Sequence, residues 1–434
     1  MSATGEGDAA HAIAREAFLA AWPQVVRALA AATGSLDEGE ELAAEAFARA
    51  AAQPEPPASL VGWCIAVGRR AAIDAARRRA TERGGVPALV DAARIDAVRG
   101  QDAAPATDDR IALLVVACDE LLPPASRIVL AMRLVLGVDV DAVAAHVGME
   151  RAAAAARLTR AKRLLAERRG AFAVPSGAQR EARIPAVRDC IHGMVAIGQR
   201  LAIAPEDALG DLVGHAERLA EALVRERARD AEARAVLAIA RLALARRPGR
   251  VVDGVALPPE EVDRRAWDAR RIVLGVDDAL VAAGLAGDDP GRYALEARVA
   301  ALHTAAPTAW DVPWALVARL HGAVEERWPA PSASLSRLVA DAYALLTEAG
   351  VADAPEGRLD GAPEGMGRIV ADVAALDAGG RAQRRDVALV LADLAWRTRA
   401  PDASARYQRL AAMLADDAIG AAPIRALCER RAAS

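Results

Sequence analysis

Two arginine-rich segments of the chain have the residue types and the spacing needed to bind phosphate groups. Segment 68–83 contains six arginines and two acids, and segment 151–169 contains seven basic residues and one acid, so their local charges are +4 and +6. The whole chain carries a net charge of −4 at pH 7. Concentrated basic side chains release counterions when they contact a nucleic-acid backbone. For each segment taken alone, a solvated helix face in an arginine-rich protein is the alternative interpretation.

The second arginine-rich segment follows a turn that is typical of DNA-binding proteins. Residues 138–146 are predicted to form a short helix that stops at Gly148, and residues 150–169 a long basic helix. Together they make a helix-turn-helix pattern, whose second helix enters the major groove. Residues 152–156 of that helix are all alanine. Alanine can contact a thymine methyl group but cannot hydrogen-bond to a base edge, so direct base recognition is expected to be poor.

The elements that carry these segments are expected to be helices throughout. Alanine provides 113 of the 434 residues, whereas aromatic residues provide only 3%. Much alanine and leucine with few β-branched and aromatic residues favours helix over strand, so we predict an all-α fold. The one β-hairpin signal is the sequence 250–257, where Asp253-Gly254 separates two apolar pairs.

Three polar, proline-containing stretches divide the chain, at 53–57, 100–109 and 174–177. The first is a break within a helical block, and the other two are predicted linkers. We therefore expect three domains, covering residues 10–98, 108–172 and 180–434. The last of these is predicted to consist of successive helices, with weak similarity to a TPR repeat around its three tyrosines.

No residue set in the sequence predicts catalysis or a bound cofactor. The histidines lack metal-ligand spacing, and no nucleophile-base pair or nucleotide-binding glycine loop occurs, so neither an enzyme nor a metal site is expected. There is no signal peptide and no apolar stretch near 18 residues, which predicts a cytoplasmic protein without membrane contact. The cysteines are far apart and suit a reducing compartment: Cys64, Cys118, Cys190 and Cys428.

Four stretches give the chain its resemblance to a known family. Residues 37–47 are similar to an acidic helix that docks on the RNA polymerase clamp, and residues 62–79 to the element that faces the minus-ten promoter strand. Residues 121–134 resemble the start of a second DNA-binding domain, and residues 157–163 the end of its recognition helix. With these stretches the chain resembles an extracytoplasmic-function sigma factor, the small promoter-recognition subunit of bacterial RNA polymerase.

The resemblance implies two partners, core RNA polymerase and promoter DNA, and a role for each group of charged residues. It implies that Asp37, Glu41 and Glu45 bind the polymerase. It also implies that two groups of basic residues contact DNA, the first at the minus-ten element and the second at the minus-thirty-five element: Arg69, Arg70, Arg77 and Arg78, and then Arg151, Arg157, Arg160, Lys162 and Arg163. Charge complementarity of this kind sets association rate and orientation.

The C-terminal residues resemble an extension found in one subgroup of these sigma factors. The similarity lies in residues 263–268, 291–303 and 406–410, and it implies a helical, TPR-like regulatory domain with a protein partner. The chain departs from the family pattern at Ala44 and Arg70, where glutamine and asparagine are expected. A further motif of the subgroup is absent near 191–198. The alternative function is therefore a sigma-derived interaction scaffold that has lost promoter recognition.

Overall fold

The computed structural model describes residues 3–83, 108–200, 211–377, 379–415 and 421–434. Across these ranges the chain forms eighteen α-helices and one short β-hairpin, which confirms the all-α prediction. The linker predicted at 100–109 lies outside the described residues except for its last two positions. The chain divides into two compact units, one containing residues 1–194 and 205–215, the other 195–204 and 216–434.

Seven helices and most of an eighth build the first unit. They are α1 (Ala3–Thr33), α2 (Leu36–Ala51), α3 (Leu60–Arg83), α4 (Asp109–Ala117), α5 (Pro124–Leu136), α6 (Val140–Val147), α7 (Arg151–Arg169) and α8 (Gly177–Arg200). Helices α1, α2 and α3 pack on one another, and α1 also packs against α4 and α5. The predicted domains 10–98 and 108–172 thus lie in one compact unit.

A glycine sets the close approach of α1 and α2. A Cβ atom on Gly39 would lie 2.4 Å from the backbone nitrogen of Ala30, a distance that no side chain tolerates. The turn before α2 is held by Ser35, whose hydroxyl oxygen accepts a hydrogen bond from the Glu38 amide at 3.2 Å. This N-cap satisfies one of the free amides at the start of the helix, so local chemistry fixes where α2 begins.

The second unit is a succession of helices around one short hairpin. Its helices are α9 (Leu212–Glu226, of which residues 216–226 belong to this unit), α10 (Ala231–Ala245), α11 (Ala269–Ala286), α12 (Arg292–Ala305), α13 (Trp314–Arg327), α14 (Pro331–Glu348), α15 (Met366–Ala375), α16 (Arg381–Arg397), α17 (Ala403–Ala415) and α18 (Ala422–Ala433). Sequential neighbours pack most closely in the pairs α10/α11, α13/α14 and α17/α18. The expected succession of helices is observed here, and residues 180–194 of the predicted third domain lie in the first unit.

The hairpin predicted at 250–257 is confirmed. Strand β1 (Val251–Val252) pairs antiparallel with β2 (Val255–Ala256), with Val252 opposite Val255. The two turn residues Asp253 and Gly254 both have positive φ values, 49° and 76°. Two left-handed residues make the type I′ turn that matches the twist of a two-residue hairpin, and Asp-Gly is a favoured sequence for it.

Candidate nucleic-acid interface

Helices α6 and α7 form the two arms of the predicted helix-turn-helix. Asp139 caps α6, since its carboxylate oxygen accepts a hydrogen bond from the Ala142 amide at 2.8 Å. Gly148 ends α6 in the left-handed conformation, with φ of 66°, and α7 starts three residues later. Asp at the N-cap and glycine at the C-cap are the local signals that stop and start helices. The sequence placed this turn correctly for that reason.

Helix α7 buries one stripe and exposes the rest. Its buried residues follow helical spacing and pack towards α5 and α6: Ala154, Leu158, Ala161 and Leu165. Arg151, Arg160 and Arg163 are exposed, and Arg157 is half-buried. Arg151 pairs with Asp141 at 2.5 Å, and Arg163 with Glu167 at 3.4 Å. Among the described residues, no carboxylate pairs with Arg157 or Arg160, so their guanidinium groups are available to an external phosphate.

The alanine run at the start of α7 has two exposed members. Ala152 and Ala153 face solvent, Ala154 is buried, and the next two alanines are half-buried. In a helix-turn-helix the first residues of the second helix are those that contact base edges. Methyl groups at these positions offer apolar contacts only.

The arginines of α3 lie at different depths. Arg70, Arg77 and Arg78 are exposed, whereas Arg69 is half-buried. Arg77 lies 3.9 Å from Asp74, one helical turn away, and both side chains are more than half exposed. An exposed pair at this distance contributes little to stability. Helix α3 therefore presents a second basic surface in the first unit, formed by Arg70, Arg77 and Arg78.

The three acids expected to bind polymerase all lie on the exposed side of α2. Asp37, Glu41 and Glu45 are exposed and spaced by four residues, so they share one helix face. Glu45 pairs with Arg49 of the same helix at 2.6 Å, and Asp37 accepts a hydrogen bond from Lys162 Nζ at 2.7 Å. Glu41 forms no ion pair with any residue that the structure describes.

Lys162, the only lysine of the chain, stabilises the fold as well as adding to the basic charge of α7. Its ammonium group contacts Asp37 at 2.7 Å and Glu40 at 2.6 Å, and only 15% of the side chain is exposed. Glu40 is 3% exposed and also contacts Arg133 Nε. Burial lowers the pKa of Lys162, but the charges and hydrogen bonds of Glu40 and Asp37 outweigh burial and raise it above the ordinary value. We call Glu40, Arg133 and Lys162 the clamp triad, because it joins α2 to α5 and α7.

Sequence reasoning missed the role of Glu40. The buried residues of α2 that follow it are Ala43, Ala46, Phe47 and Ala50, and Glu40 continues their stripe. A carboxylate on an apolar stripe signals a buried ion pair, because an unpaired buried charge is too costly. The partner could not be identified from the sequence, since Arg133 and Lys162 lie 93 and more residues away.

A second buried ion network closes the far end of α7. Arg169 donates to both carboxylate oxygens of Asp119 at 2.9 Å, and Arg183 also contacts Asp119 and Glu120. Asp119 is 1% exposed and Arg183 is 4% exposed. Burial raises the pKa of Asp119, but hydrogen bonds from Arg169 and the Leu121 amide and the charge of Arg183 bring it below its ordinary value. Arg169 is therefore committed to the fold rather than to DNA.

An aromatic cluster packs α1 against α2 and α5. Phe18, Trp22 and Phe47 have ring centroids 4.9 to 5.7 Å apart, and the Trp22 indole nitrogen donates to the Leu134 carbonyl at 3.0 Å. The half-buried Trp63 is not part of this cluster. Aromatic contacts of this kind add to the burial of apolar area, so α2 and α7 are positioned by a well-packed core.

The described residues contain no set of three or more His, Cys, Asp or Glu side chains that could hold a metal ion. The four cysteines are buried free thiols. None of the described helices is long and apolar enough to cross a membrane.

Comparison with known proteins finds two similarities. The model of a family of unknown function, DUF6596, matches residues 183–283. The chain is also 30% identical to an uncharacterized protein, R00370, of Rhizobium meliloti (strain 1021), over 306 residues that cover 69% of this chain and 72% of that protein. No solved structure matches the chain.

Proposed function

The chain belongs to the same family as the R00370 protein of Rhizobium meliloti, and within that family we propose that it is a cytoplasmic sigma factor of bacterial RNA polymerase. Its first unit would bind core polymerase and promoter DNA, and its second unit would regulate this binding through a protein partner. The proposal extends the resemblance noted in the sequence. It assigns no covalent chemistry to the protein.

The observation that carries the proposal is the surface of the α6–Gly148–α7 turn. Arg157 and Arg160 stand on the second helix of a helix-turn-helix and have no carboxylate partner among the described residues. Structural arginines elsewhere in this chain, such as Arg133 and Arg169, are paired. Unpaired guanidinium groups on a recognition helix are suited to phosphate contacts, which position a protein on duplex DNA.

The remaining exposed charges of the first unit support both parts of the proposal. Arg70, Arg77 and Arg78 on α3 provide a second surface for a nucleic-acid backbone, and the exposed acids of α2 provide a surface for a basic protein. The acids would mainly accelerate and orient association with the polymerase, because exposed charges act over a distance but add little affinity in water.

Polymerase binding and DNA binding can be tested separately. For the first, Glu41→Arg/Glu45→Arg should reduce association with core polymerase in a sedimentation assay, whereas Asp288→Arg, a reversal of an exposed acid in the second unit, should not. If wild-type chain does not bind core polymerase, the proposal is wrong. Activity in transcription that appears only in a chain ending after His215, which keeps the first unit, would assign an inhibitory role to the second unit.

For the second, DNA fragments are selected from a random duplex library with the polymerase present. Arg157→Ala/Arg160→Ala should weaken binding to the selected fragments and reduce the salt slope by about 0.9 for each lost phosphate contact. The matched control is Arg229→Ala/Arg298→Ala, which removes two exposed arginines of the second unit. An unchanged affinity at every salt concentration would refute the assignment of Arg157 and Arg160.

One observation favours the alternative function, a sigma-derived interaction scaffold. Ala152 and Ala153 are the exposed residues at the start of α7, where polar side chains would be needed to recognise bases. Lys162, another expected DNA contact, is bound to Glu40 and Asp37. The scaffold function predicts that the chain binds core polymerase but enriches no sequence from the random library.

A further inference from the structure

The second unit contains a partly open cavity with a volume of about 520 Å³. Residues on its wall come from α10, the hairpin and the loop after it, and from several of the later helices. Much of the wall is apolar and aromatic, including Trp267, Trp314 and Tyr343. A concave apolar site of this size, with few polar groups, is the usual form of a small-molecule site.

Three arginines line one part of this cavity: Arg246, Arg250 and Arg264. Arg246 Nε donates to the Leu242 carbonyl at 3.2 Å, and Arg264 Nη1 donates to the His303 and Ala306 carbonyls at 2.9 and 2.5 Å. These acceptors are neutral. Across the described ranges, none of the three arginines forms an ion pair. Within the described part of the chain, the wall therefore carries three positive charges that no carboxylate pairs with.

The electrostatic effect of this arrangement is visible in the pKa values. Burial, with the charges of Arg250 and Arg264, lowers the pKa of Arg246 from 12.5 to about 10. Burial, with the charges of Arg246, His321 and Arg264, lowers the pKa of His303 to about 3, so its imidazole is neutral at pH 7. Asp311 is the acid whose charge partly opposes this at Arg264. Like charges held together in a partly dry site are unfavourable until an anion enters.

A neighbouring ion network, which reaches the cavity wall through Asp393 and Arg431, is balanced by its own carboxylates. Arg397 pairs with Asp393 at 2.9 Å and with Glu260 at 2.8 Å, and Tyr343 donates to Asp393 at 2.8 Å. Arg431 pairs with Glu260 and with Glu261 at 3.1 and 2.9 Å. Here each buried guanidinium group has carboxylate partners. The same unit thus neutralises these structural arginines with carboxylates, whereas Arg246, Arg250 and Arg264 have no carboxylate partner among the described residues.

Unused hydrogen-bonding atoms on the cavity wall are donors. The indole nitrogen of Trp267 and Nη1 of Arg431 are buried and have no partner among the described residues. A buried donor without an acceptor is unfavourable, and water or a ligand normally satisfies it. Two residues of the wall, Trp267 and Arg431, therefore each have a buried donor that a ligand could satisfy.

From these observations we propose that the cavity is a binding site for a small organic anion. The arginine cluster of Arg246, Arg250 and Arg264 would bind its carboxylate or phosphate group, and Trp267, Trp314 and Tyr343 would pack against a flat apolar body. Guanidinium groups match both oxyanions through paired hydrogen bonds, and aromatic rings suit planar ligands. The proposal is independent of the sigma-factor function, because it rests on the second unit alone.

The test compares two fluorescent probes with the full-length protein. The anion is 8-anilinonaphthalene-1-sulfonate, and the neutral control is N-phenyl-1-naphthylamine, which has the same rings without the sulfonate. We expect the anion to bind about 10- to 100-fold more tightly, the effect of hydrogen bonds to a charged group. Equal affinity of the two probes would overturn the proposal, since an apolar cavity without an anion site would not distinguish them.

The arginine cluster is tested with Arg246→Gln/Arg250→Gln and a matched control, Arg265→Gln/Arg298→Gln, in which both arginines are exposed. The first variant should lose the preference for the anionic probe and keep its affinity for the neutral one, whereas the control keeps both. Without ligand, the first variant should unfold at the same or a higher temperature than wild type, because it removes unpaired charges. A lower unfolding temperature, or an unchanged preference for the anion, would refute the role of the cluster.

Competition identifies the chemical source of the ligand. Adenosine monophosphate provides a phosphate on a flat ring system, and indole-3-acetate provides a carboxylate on one. Displacement of the bound sulfonate by either compound supports the site and indicates which group it prefers. Failure of both compounds to displace the probe would mean that the probe alone binds there, and the proposal would be wrong.

Discussion

Lys162 provides the sharpest test of how the first unit is held together. The clamp triad places the Glu40 carboxylate, which is 3% exposed, between Lys162 and Arg133. Lys162 is itself only 15% exposed and reaches Asp37 as well. Lys162→Met keeps an unbranched side chain that is one atom shorter and removes the ammonium group. This substitution therefore measures how much of the stability of the α2–α7 contact depends on the ion pair.

The expected loss follows from the partners that remain. Removing one member of a buried pair costs about 3–5 kcal/mol when the other charge is left alone. Glu40 keeps Arg133, so we expect about 2 kcal/mol for Lys162→Met. Glu40→Gln leaves Arg133 without its carboxylate and should cost about 3 kcal/mol. The double variant should also lose about 3 kcal/mol, less than the sum, because both changes remove one interaction.

Hydrogen exchange of the native full-length chain measures these losses of stability separately for each helix. Peptides from α2 and α7 report the free energy of local opening, whereas those from the second unit should be unaffected. Arg163→Met is the matched control on the same helix. Arg163 and its partner Glu167 are 72% and 59% exposed, so this change should alter the opening energy by less than about 0.5 kcal/mol.

Two outcomes would refute the reasoning. Additive losses in the double variant would show that Lys162 and Glu40 do not interact. An equal loss in Arg163→Met would show that removing any cation from α7 lowers the opening energy. The contact of Lys162 with Glu40 would then not be the cause.

Three further predictions concern packing, pH and a buried charge. Gly39→Ala should destabilise the first unit by more than about 2 kcal/mol, because its Cβ would meet the Ala30 backbone. Gly284→Ala has open space around it and should stabilise α11 by about 0.5–1 kcal/mol. Urea unfolding measures both changes. The pKa of His303 is near 3 in the folded state and 6.5 in the unfolded state. As the pH drops below 6.5, the unfolded chain therefore binds a proton that the folded chain does not. The free energy of unfolding falls as a result, by at most about 1.4 kcal/mol per pH unit. His303→Gln should reduce the decrease in unfolding midpoint between pH 6.5 and 5, and an unchanged decrease would contradict the assignment. Arg397→Met should cost the second unit about 3–5 kcal/mol, because it leaves Asp393 and Glu260 without this buried cation; a thermal unfolding midpoint equal to wild type would exclude that role.

Much of the fold was predictable because its signals are local. The stop of α6 at Gly148 and the hairpin turn at Asp253-Gly254 depend on backbone preferences of one or two residues. The exposure of Glu41 and Glu45 and the buried spacing of α7 follow from helical periodicity. The division into domains at 10–98 and 108–172 stays a prediction; both ranges fall in one compact unit, and contacts between helices far apart in the chain leave little trace in either segment.

The candidate sites divide in the same way. Charge counting found the basic stripe on α7, but it gave Lys162 the same role as Arg157 and Arg160. The structure separates them: Lys162 is bound to Glu40, and the two arginines are unpaired among the described residues. Charge counting also passed over Arg246 and Arg250, since two arginines near a proline and a glycine are unremarkable in a chain with this composition.

The sequence by itself determined that the chain is helical, where several helices begin and end, and which faces are charged, because each depends on residues within a few positions of one another. Only the tertiary structure decided which charges are neutralised. A carboxylate 122 residues away reaches Lys162, whereas no carboxylate of the described residues reaches Arg246. The physical reason is that the cost of a buried charge depends on its neighbours in space, and packing alone sets those neighbours.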